Sequence, residues 1–372
     1  MPFTPPPRAV RGSVQYHPEV SLRPLLGMSA ADLQALVSGL GEQPLRARQL
    51  YGWLHARRAA TIEAMTDLPR ALRARLVETH NVGWPEVADT SRSVDGTVKY
   101  LFRLSDDATV ETVVMPEARR HTLCLSTQAG CALRCAFCLT GVAGFRRNLT
   151  VAEILGQVAF AQAQVPADEK PWNIVFMGMG EPLLNEDATL RALRILMDPA
   201  GFAIPPRRVT LSTVGILPAL ERLAAEPVRP NLAISLHAAD SELRGRLMPI
   251  EKRYALRDVV AAAARYRPPQ GGRVTFEYVL LGGVNDSQLH ARRLARLLRD
   301  SDGKVNLIPL NPAPEIPFEA PAEAVVSDFC AVLADAGLTV SVRRSRGNDI
   351  LAACGQLHLR RSAGQGVASR LS

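Results

Sequence analysis

The chain has 372 residues, with 44 lysines and arginines against 36 aspartates and glutamates, giving a formal charge of +8. That length can bury a sizeable core, and 47% hydrophobic against 22% charged residues excludes wholesale disorder. Six cysteines are too few for a disulfide scaffold, and no apolar run approaches the ~18–20 residues of a membrane span.

The amino terminus, MPFTPPPR, carries no apolar segment of the signal-peptide kind, so a cytoplasmic protein with reduced thiols is expected. The basic excess points to a polyanionic partner such as nucleic acid. Residues 1–28 are proline-rich and aperiodic and read as an extended arm. Residues 29–81 read as a small helical module. Ser29 and Asp32 make a capping box, and Gln43-Pro44 restarts the chain with proline in a first helical turn. Leu50, Trp53 and Leu54 share one face. Arg46, Arg48, Arg57 and Arg58 decorate this module, as a solvated basic face or as contacts to RNA.

Residues 97–104 and 108–116 are two β runs around Ser105-Asp-Asp107, so 97–116 reads as a hairpin linking the module to the rest of the chain. Strands then alternate with helices: 121–127, 172–177, 208–213, 232–236, 273–281 and 304–310. One helix opens on the capping box Thr150 to Glu153, one starts at Asp286, and one covers 322–336 before a last strand at 338–344. Six β-then-α units in series predict a parallel sheet with right-handed crossovers. Six fall short of the eight that close a barrel, so 117–345 is expected to form an open, partial one. Ligands of such sheets bind beyond the carboxyl ends of the strands. Cys131 to Cys138, Gly178 to Glu181, His237 and Asn311 all fall in those loops, and 346–372 is left as a loop and tail.

Cys131-Ala-Leu-Arg-Cys135-Ala-Phe-Cys138 places three thiols on the loop after the first parallel strand. Three is one short of the usual four ligands of zinc or an iron–sulfur cluster. A cubane held by three cysteines keeps one iron open to a substrate. A zinc site completed by a distant histidine is the alternative.

The C-x-x-x-C-x-x-C pattern with Phe137 before the last cysteine resembles the signature of the radical S-adenosylmethionine (SAM) enzymes. The resemblance implies a 4Fe–4S cluster on Cys131, Cys135 and Cys138, with SAM bound at the open iron and cleaved to a deoxyadenosyl radical. Gly178-Met-Gly-Glu181-Pro resembles that superfamily's second-strand motif. CLSTQAGCALRCAFC (124–138), GFRRNL (144–149), FMGMGEPLLN (176–185), RVTLSTVG (208–215), ISLHA (234–238), NLIPLNP (306–312) and RGNDILAACGQL (346–357) together resemble one family. It is the radical-SAM dual-specificity RNA methyltransferases, and the likeness runs from about residue 29 to 358. It implies an α/β fold: a partial (βα)6 radical-SAM barrel with a small N-terminal helical domain and a β-hairpin extension. It also implies methylation of C2 of adenine 2503 in 23S rRNA, with C2 of adenine 37 in tRNA as a second candidate. That carbon lies between two ring nitrogens and is electron-poor, so a radical route avoids an unfavourable polar one.

Residue by residue, the resemblance makes Cys354 the acceptor of a methyl group from the first of two SAM molecules per turnover. A radical from the second takes hydrogen from that S-methyl group, and the carbon radical adds to C2. Glu111 matches the base that removes the C2 proton, and Cys124 the thiol that frees the product through a transient disulfide. Gly180, Glu181, Ser212, Ser235, Leu236, His237 and Asn311 match SAM-contacting positions. The implied partners are 23S rRNA, tRNA and an electron donor such as flavodoxin, for a monomer.

Read without the family, Cys124 fits an inert strand cysteine, Glu111 a solvated strand residue and His237 a core histidine. Cys330 matches no motif and reads as structural. Arg119, Arg120, Arg146, Arg147, Arg207, Arg208, Arg343, Arg344 and Arg346 cluster near the loops and suit an RNA backbone, with the target base flipped from its stack. The competing functions are a C8-methylating resistance enzyme of the same family, a radical-SAM enzyme acting on a protein or small molecule, and a zinc-stabilised RNA-binding protein.

Overall fold

Ten strands build one sheet, and their order across it is their order in the chain. They are β1 (Glu86–Arg92), β2 (Val98–Arg103), β3 (Thr109–Pro116), β4 (His121–Cys124), β5 (Trp172–Phe176), β6 (Val209–Thr213), β7 (Asn231–Ser235), β8 (Thr275–Leu280), β9 (Lys304–Pro309) and β10 (Thr339–Val342). The structure, a computed structural model, describes residues 22–165, 170–343 and 345–357. β1 to β4 form an antiparallel meander, and β4 to β10 run parallel with helices between them. The expected partial barrel with its hairpin is therefore one continuous sheet, whose outermost strands β1 and β10 do not pair.

The meander has one strand more than the alternation predicted. Glu86–Arg92 reads EVADTSR and is exposed along most of its length, so no apolar period marks it. It forms because it sits at the sheet edge, where a polar strand with a register shift between Val87 and Asp89 discourages further pairing. The predicted strand 121–127 stops at Cys124. Gln128–Gly130 then pairs with Phe145–Asn148 in a separate two-stranded ribbon that clamps the base of the cysteine loop.

The capping boxes of Ser29 with Asp32 and of Thr150 with Glu153 both form, at the heads of helices Ala30–Gly39 and Val151–Gln164. Pro44 opens Pro44–Tyr51 as predicted. The helix expected from Asp286 starts slightly later, at Gln288, because Ser287 is its cap. Among the described residues no helix is long and apolar enough to cross a membrane.

The helical module is docked on the barrel. Leu25 and Leu26 are fully buried, and Arg23–Pro24 pairs with His80–Asn81. The Tyr51 hydroxyl donates to Asp198 Oδ2 at 2.7 Å, His55 packs on Phe202, and Arg191 pairs with Asp32 at 2.6 Å. Of the expected arm, residues 1–21 lie outside the described residues, as does the tail from 358.

Candidate active site

The cysteine loop is held from three sides. Cys131 donates its amide to Gly144 across the ribbon at 2.8 Å, Ala136 donates to Leu247 at 2.9 Å, and Leu139 donates to Gly355 at 2.8 Å. All three cysteines line a cavity of about 910 Å³ at the carboxyl ends of the strands. Burial pushes the Cys131 thiol up to about 12 and the Cys135 thiol up as well. Cys131 and Cys135, two buried thiols that resist ionisation, fit beside the half-buried Cys138 a cationic iron cluster, which holds coordinating sulfurs deprotonated.

The Gly178–Glu181 turn faces them. Gly180 has φ +97°, and a Cβ there would lie 2.5 Å from Cβ of Gln128. Gln128 in turn accepts the Glu181 amide at 2.9 Å and donates to Asn148 at 2.8 Å, tying this turn to the cysteine ribbon. The Glu181 carboxylate accepts the amides of Leu183 at 3.0 Å and Val214 at 2.9 Å. Burial still raises it to about 7.

Ser212 and Ser235 lie at the carboxyl ends of β6 and β7, His237 and Asn311 follow β7 and β9, and all four line the same cavity with Gly180 and Glu181. Leu236 does not; it is fully buried, and its amide donates to the Glu277 carbonyl at 3.0 Å. His237 sits at φ +59° with its ring edge-on to Phe137 at 4.8 Å. Its Nδ1 accepts the Val279 amide at 3.0 Å, and burial, helped by Arg244, lowers it to about 3. The ring is therefore a neutral hydrogen-bond donor at Nε2, suited to holding a ligand. The apolar floor and these convergent polar groups suit a small cofactor with polar and apolar parts, as SAM has.

Cys354 joins this cavity to a second one of about 1520 Å³, which occupies the barrel interior. Thr122, Asn173, Thr210, Lys304, Asn306 and Ser341 line that lumen, so it is polar rather than packed. Cys124 opens into it. Met177, Glu277, Ile308, Arg343 and Cys354 line both cavities and form the partition. The Cys354 carbonyl accepts Asn311 Nδ2 at 3.2 Å. Burial raises the Cys354 thiol and Arg343 draws it back. Cys124 is pushed up to about 12 by burial and then by Cys354.

Two partition residues escaped sequence reasoning. Glu277 is buried inside an apolar strand and accepts from Ser212 Oγ at 3.0 Å. A lone carboxylate at an inward strand position was the available signal. Arg343 groups in sequence with the arginines expected to face RNA, but its Nη1 donates to Met177 Sδ at 3.4 Å beside the two cysteines. Others of that group also have internal partners: Arg147 bonds Asp106 and Glu153, Arg146 the Asp106 carbonyl, Arg120 Glu117, Arg208 Asn173, and Arg346 Asp95 and Pro116. Nearby carboxylates and carbonyls take up their charge. Arg344 lies outside the described residues.

Glu111 is neither solvated nor in a cavity wall. It is 1% exposed on β3, and Lys99 of β2, 3% exposed, places Nζ 3.0 Å from its Oε1. The same Nζ donates to the Leu351 carbonyl at 3.0 Å, three residues before Cys354. Cys330 is half-buried in helix Glu323–Asp335, away from both cavities.

Comparison with known proteins agrees with this geometry. Residues 24–82 match the ribosomal RNA large subunit methyltransferase N-terminal domain, and residues 125–295 match the radical SAM superfamily. The chain is 48% identical over 340 residues to the probable dual-specificity RNA methyltransferase RlmN of Moorella thermoacetica, covering 90% of this chain and 96% of that protein. It is 47% identical over 344 residues to dual-specificity RNA methyltransferase RlmN of Nitratidesulfovibrio vulgaris, covering 90% and 93%. The crystal structure of a radical SAM methyltransferase from Sphaerobacter thermophilus is similar with a TM-score of 0.86 at 44% identity, covering 90% of this chain and 99% of that one. Radical SAM enzymes use a 4Fe–4S cluster and SAM, which overturns the zinc-stabilised alternative. The two matched domains take in the helical module and the cysteine loop, and the chain belongs to the RlmN family of radical-SAM dual-specificity RNA methyltransferases.

Proposed function

We propose that this protein methylates C2 of adenine 2503 in 23S rRNA and C2 of adenine 37 in tRNA. The observation that carries the reading is the position of Cys354. It lines both the cavity of the cysteine triad and the lumen that holds Cys124, so one sulfur can serve a cofactor on one side and a nucleobase on the other.

The cluster and SAM, when bound, supply a methyl group and a carbon-centred radical. Cys131, Cys135 and Cys138 hold the cluster. Glu181, the Gly180 backbone, Ser212, Ser235, His237 and Asn311 orient SAM, with His237 as a neutral donor. Cys354 accepts the methyl group as a thiolate, and the Arg343 guanidinium offsets the burial of that charge. Glu111 takes the proton from C2 of the RNA-bound adduct. Cys124 then attacks the Cys354 sulfur: an S–S bond forms, the bond from that sulfur to the transferred carbon breaks with its electron pair going to the carbon, a proton equivalent to the one the Cys124 thiol gives up completes the methyl group, and the methylated base leaves.

Residues 29–81 hold the RNA, with exposed arginines such as Arg48 on its phosphates. The protein works as a monomer in the cytoplasm with a flavodoxin-like electron donor. Nucleoside analysis of ribosomal and transfer RNA from a strain lacking the gene tests the reading. Loss of 2-methyladenosine, restored by the wild-type gene and not by Cys354→Ala, is expected. Loss of 8-methyladenosine instead would favour the C8-methylating branch.

A further inference from the structure

The buried pair of Lys99 and Glu111 lies outside both cavities, yet it touches the loop that carries Cys354. Lys99 sits on β2 and Glu111 on β3, offset by two residues from direct opposition in a register that pairs Leu101 with Glu111. Each charge offsets the other in the core; removing one partner of such a pair leaves a buried charge less well compensated. The third member of the contact is the Leu351 carbonyl, 3.0 Å from Nζ. Leu351 has φ +52°, a left-handed conformation that a branched apolar residue adopts only when its surroundings impose it. The Ala352 amide donates to Gly347 at 2.9 Å, closing the same turn.

The loop has further anchors on the turn between β1 and β2, the Arg346 contact with Asp95 among them. Gly347 donates to Asp95 Oδ2 at 3.1 Å, and Asp349 accepts from Ser93 Oγ at 2.6 Å and from the Val94 amide at 3.2 Å. Those anchors fix where the loop lies but do not reach the reaction. Lys99 alone of these contacts also bears on a residue with a proposed chemical role.

We propose that Lys99 is a positioning residue that couples the Cys354 loop to Glu111, holding the loop by the Leu351 carbonyl and the carboxylate by the ion pair. This rests on the reading of Cys354 as methyl carrier and Glu111 as base. When the loop lifts, Lys99 loses the carbonyl and bears on Glu111 alone; when a base draws Glu111 away, Lys99 loses the charge that keeps it buried beside the loop. The two movements are linked in both directions, as any coupling free energy requires.

The test is hydrogen exchange at the Leu351 and Ala352 amides in the wild type, Lys99→Met, Glu111→Gln, the double variant and Lys99→Arg. Glu111→Gln is decisive, because it leaves both atoms of the Lys99–Leu351 contact in place and removes the charge that steadies Lys99. Lys99→Met and Glu111→Gln should each speed exchange at those amides by about tenfold or more, the scale of losing a hydrogen bond to a charged group. The double variant should be no faster than Lys99→Met, because the two share one path. Lys99→Arg should restore part of the protection. Lys99→Met should also lower kcat for RNA methylation with little change in KM for RNA, and Lys99→Arg should recover it. Wild-type exchange in Glu111→Gln, or equal acceleration of core amides such as Phe276 in Lys99→Met, overturns the coupling. Failure of the underlying reading is a separate result: wild-type protein would then carry no methyl group on Cys354, whatever the exchange rates.

Discussion

His237 on the loop after β7 accepts the Val279 amide of β8 through Nδ1 at 3.0 Å, so a backbone contact between neighbouring strands fixes which ring nitrogen carries the proton. Burial lowers His237 to about 3 and His55 to about 4, so both are neutral in the folded chain. Unfolded histidine titrates near about 6.5. The unfolded chain thus binds more protons below that pH, and the stability these two residues contribute at neutral pH is lost as pH falls toward 4. Each contributes a slope of about 1.4 kcal/mol per pH unit in that window. Glu181 works in the opposite sense, because its raised carboxyl favours the folded state as pH falls below about 7. Denaturant titrations from pH 7 to 4 should show a net fall in stability, and His55→Gln should flatten it. A slope unchanged by that substitution would refute the assignment.

Changing any of Cys131, Cys135 or Cys138 to Ala should abolish the cluster and SAM cleavage. Iron and sulfide analysis after anaerobic reconstitution checks this. A triple-alanine protein with stoichiometric iron and sulfide would remove the triad from the proposal.

Cys354 and Cys124 should fail at different steps. Cys354→Ala should acquire no methyl group by intact-mass measurement. Cys124→Ala should load the methyl, add it to RNA and stall as a covalent protein–RNA adduct on a denaturing gel. Full turnover without adduct would return Cys124 to the role of an ordinary strand cysteine.

Gly180→Ala combines a left-handed backbone at φ +97° with a Cβ 2.5 Å from Gln128. It should destabilise the fold by about 1–3 kcal/mol and weaken SAM binding, because the Gln128 bridge to the cysteine ribbon must shift. Calorimetry with SAM and a melting curve report the two effects. Wild-type affinity for SAM would contradict the placement of this turn.

The docked module makes its deletion a poor test, since Leu25, Leu26 and Tyr51 are buried at or near its junction with the barrel. A surface change is cleaner. Arg48→Ala should weaken RNA binding and reduce the slope of log affinity against log salt by about 1, as loss of one phosphate contact does. An unaltered slope would move the RNA contact elsewhere.

Most of the architecture was legible because its signals are local. Capping boxes at Ser29 and Thr150, proline at Pro44 and apolar runs in β5 to β9 each report a nearby backbone geometry. What escaped depends on tertiary context. β1 has no apolar period because an edge strand buries little. Lys99 and Glu111 look like solvated strand charges until the sheet places them side by side under Leu351. Arg343 looks like its neighbours in sequence, and only the partition between two cavities separates it from them. Of the predicted SAM positions, Leu236 alone lies outside the cavity wall, because a motif match cannot distinguish a backbone contribution from a side-chain one.

The loop after β10 returns to the turn between β1 and β2, at the opposite margin of the sheet. Among the described residues the strands do not close the barrel; the stretch that carries Cys354 spans the gap, as a clasp across the seam. Backbone pairing would make such a seam nearly permanent, whereas Asp95, Asp349 and Lys99 make it with a few releasable contacts. A single opening would then both admit the base to the lumen and carry the sulfur away from the cofactor side. Methyl delivery and substrate admission would share one door, and a ligand that latched the clasp would block both at once.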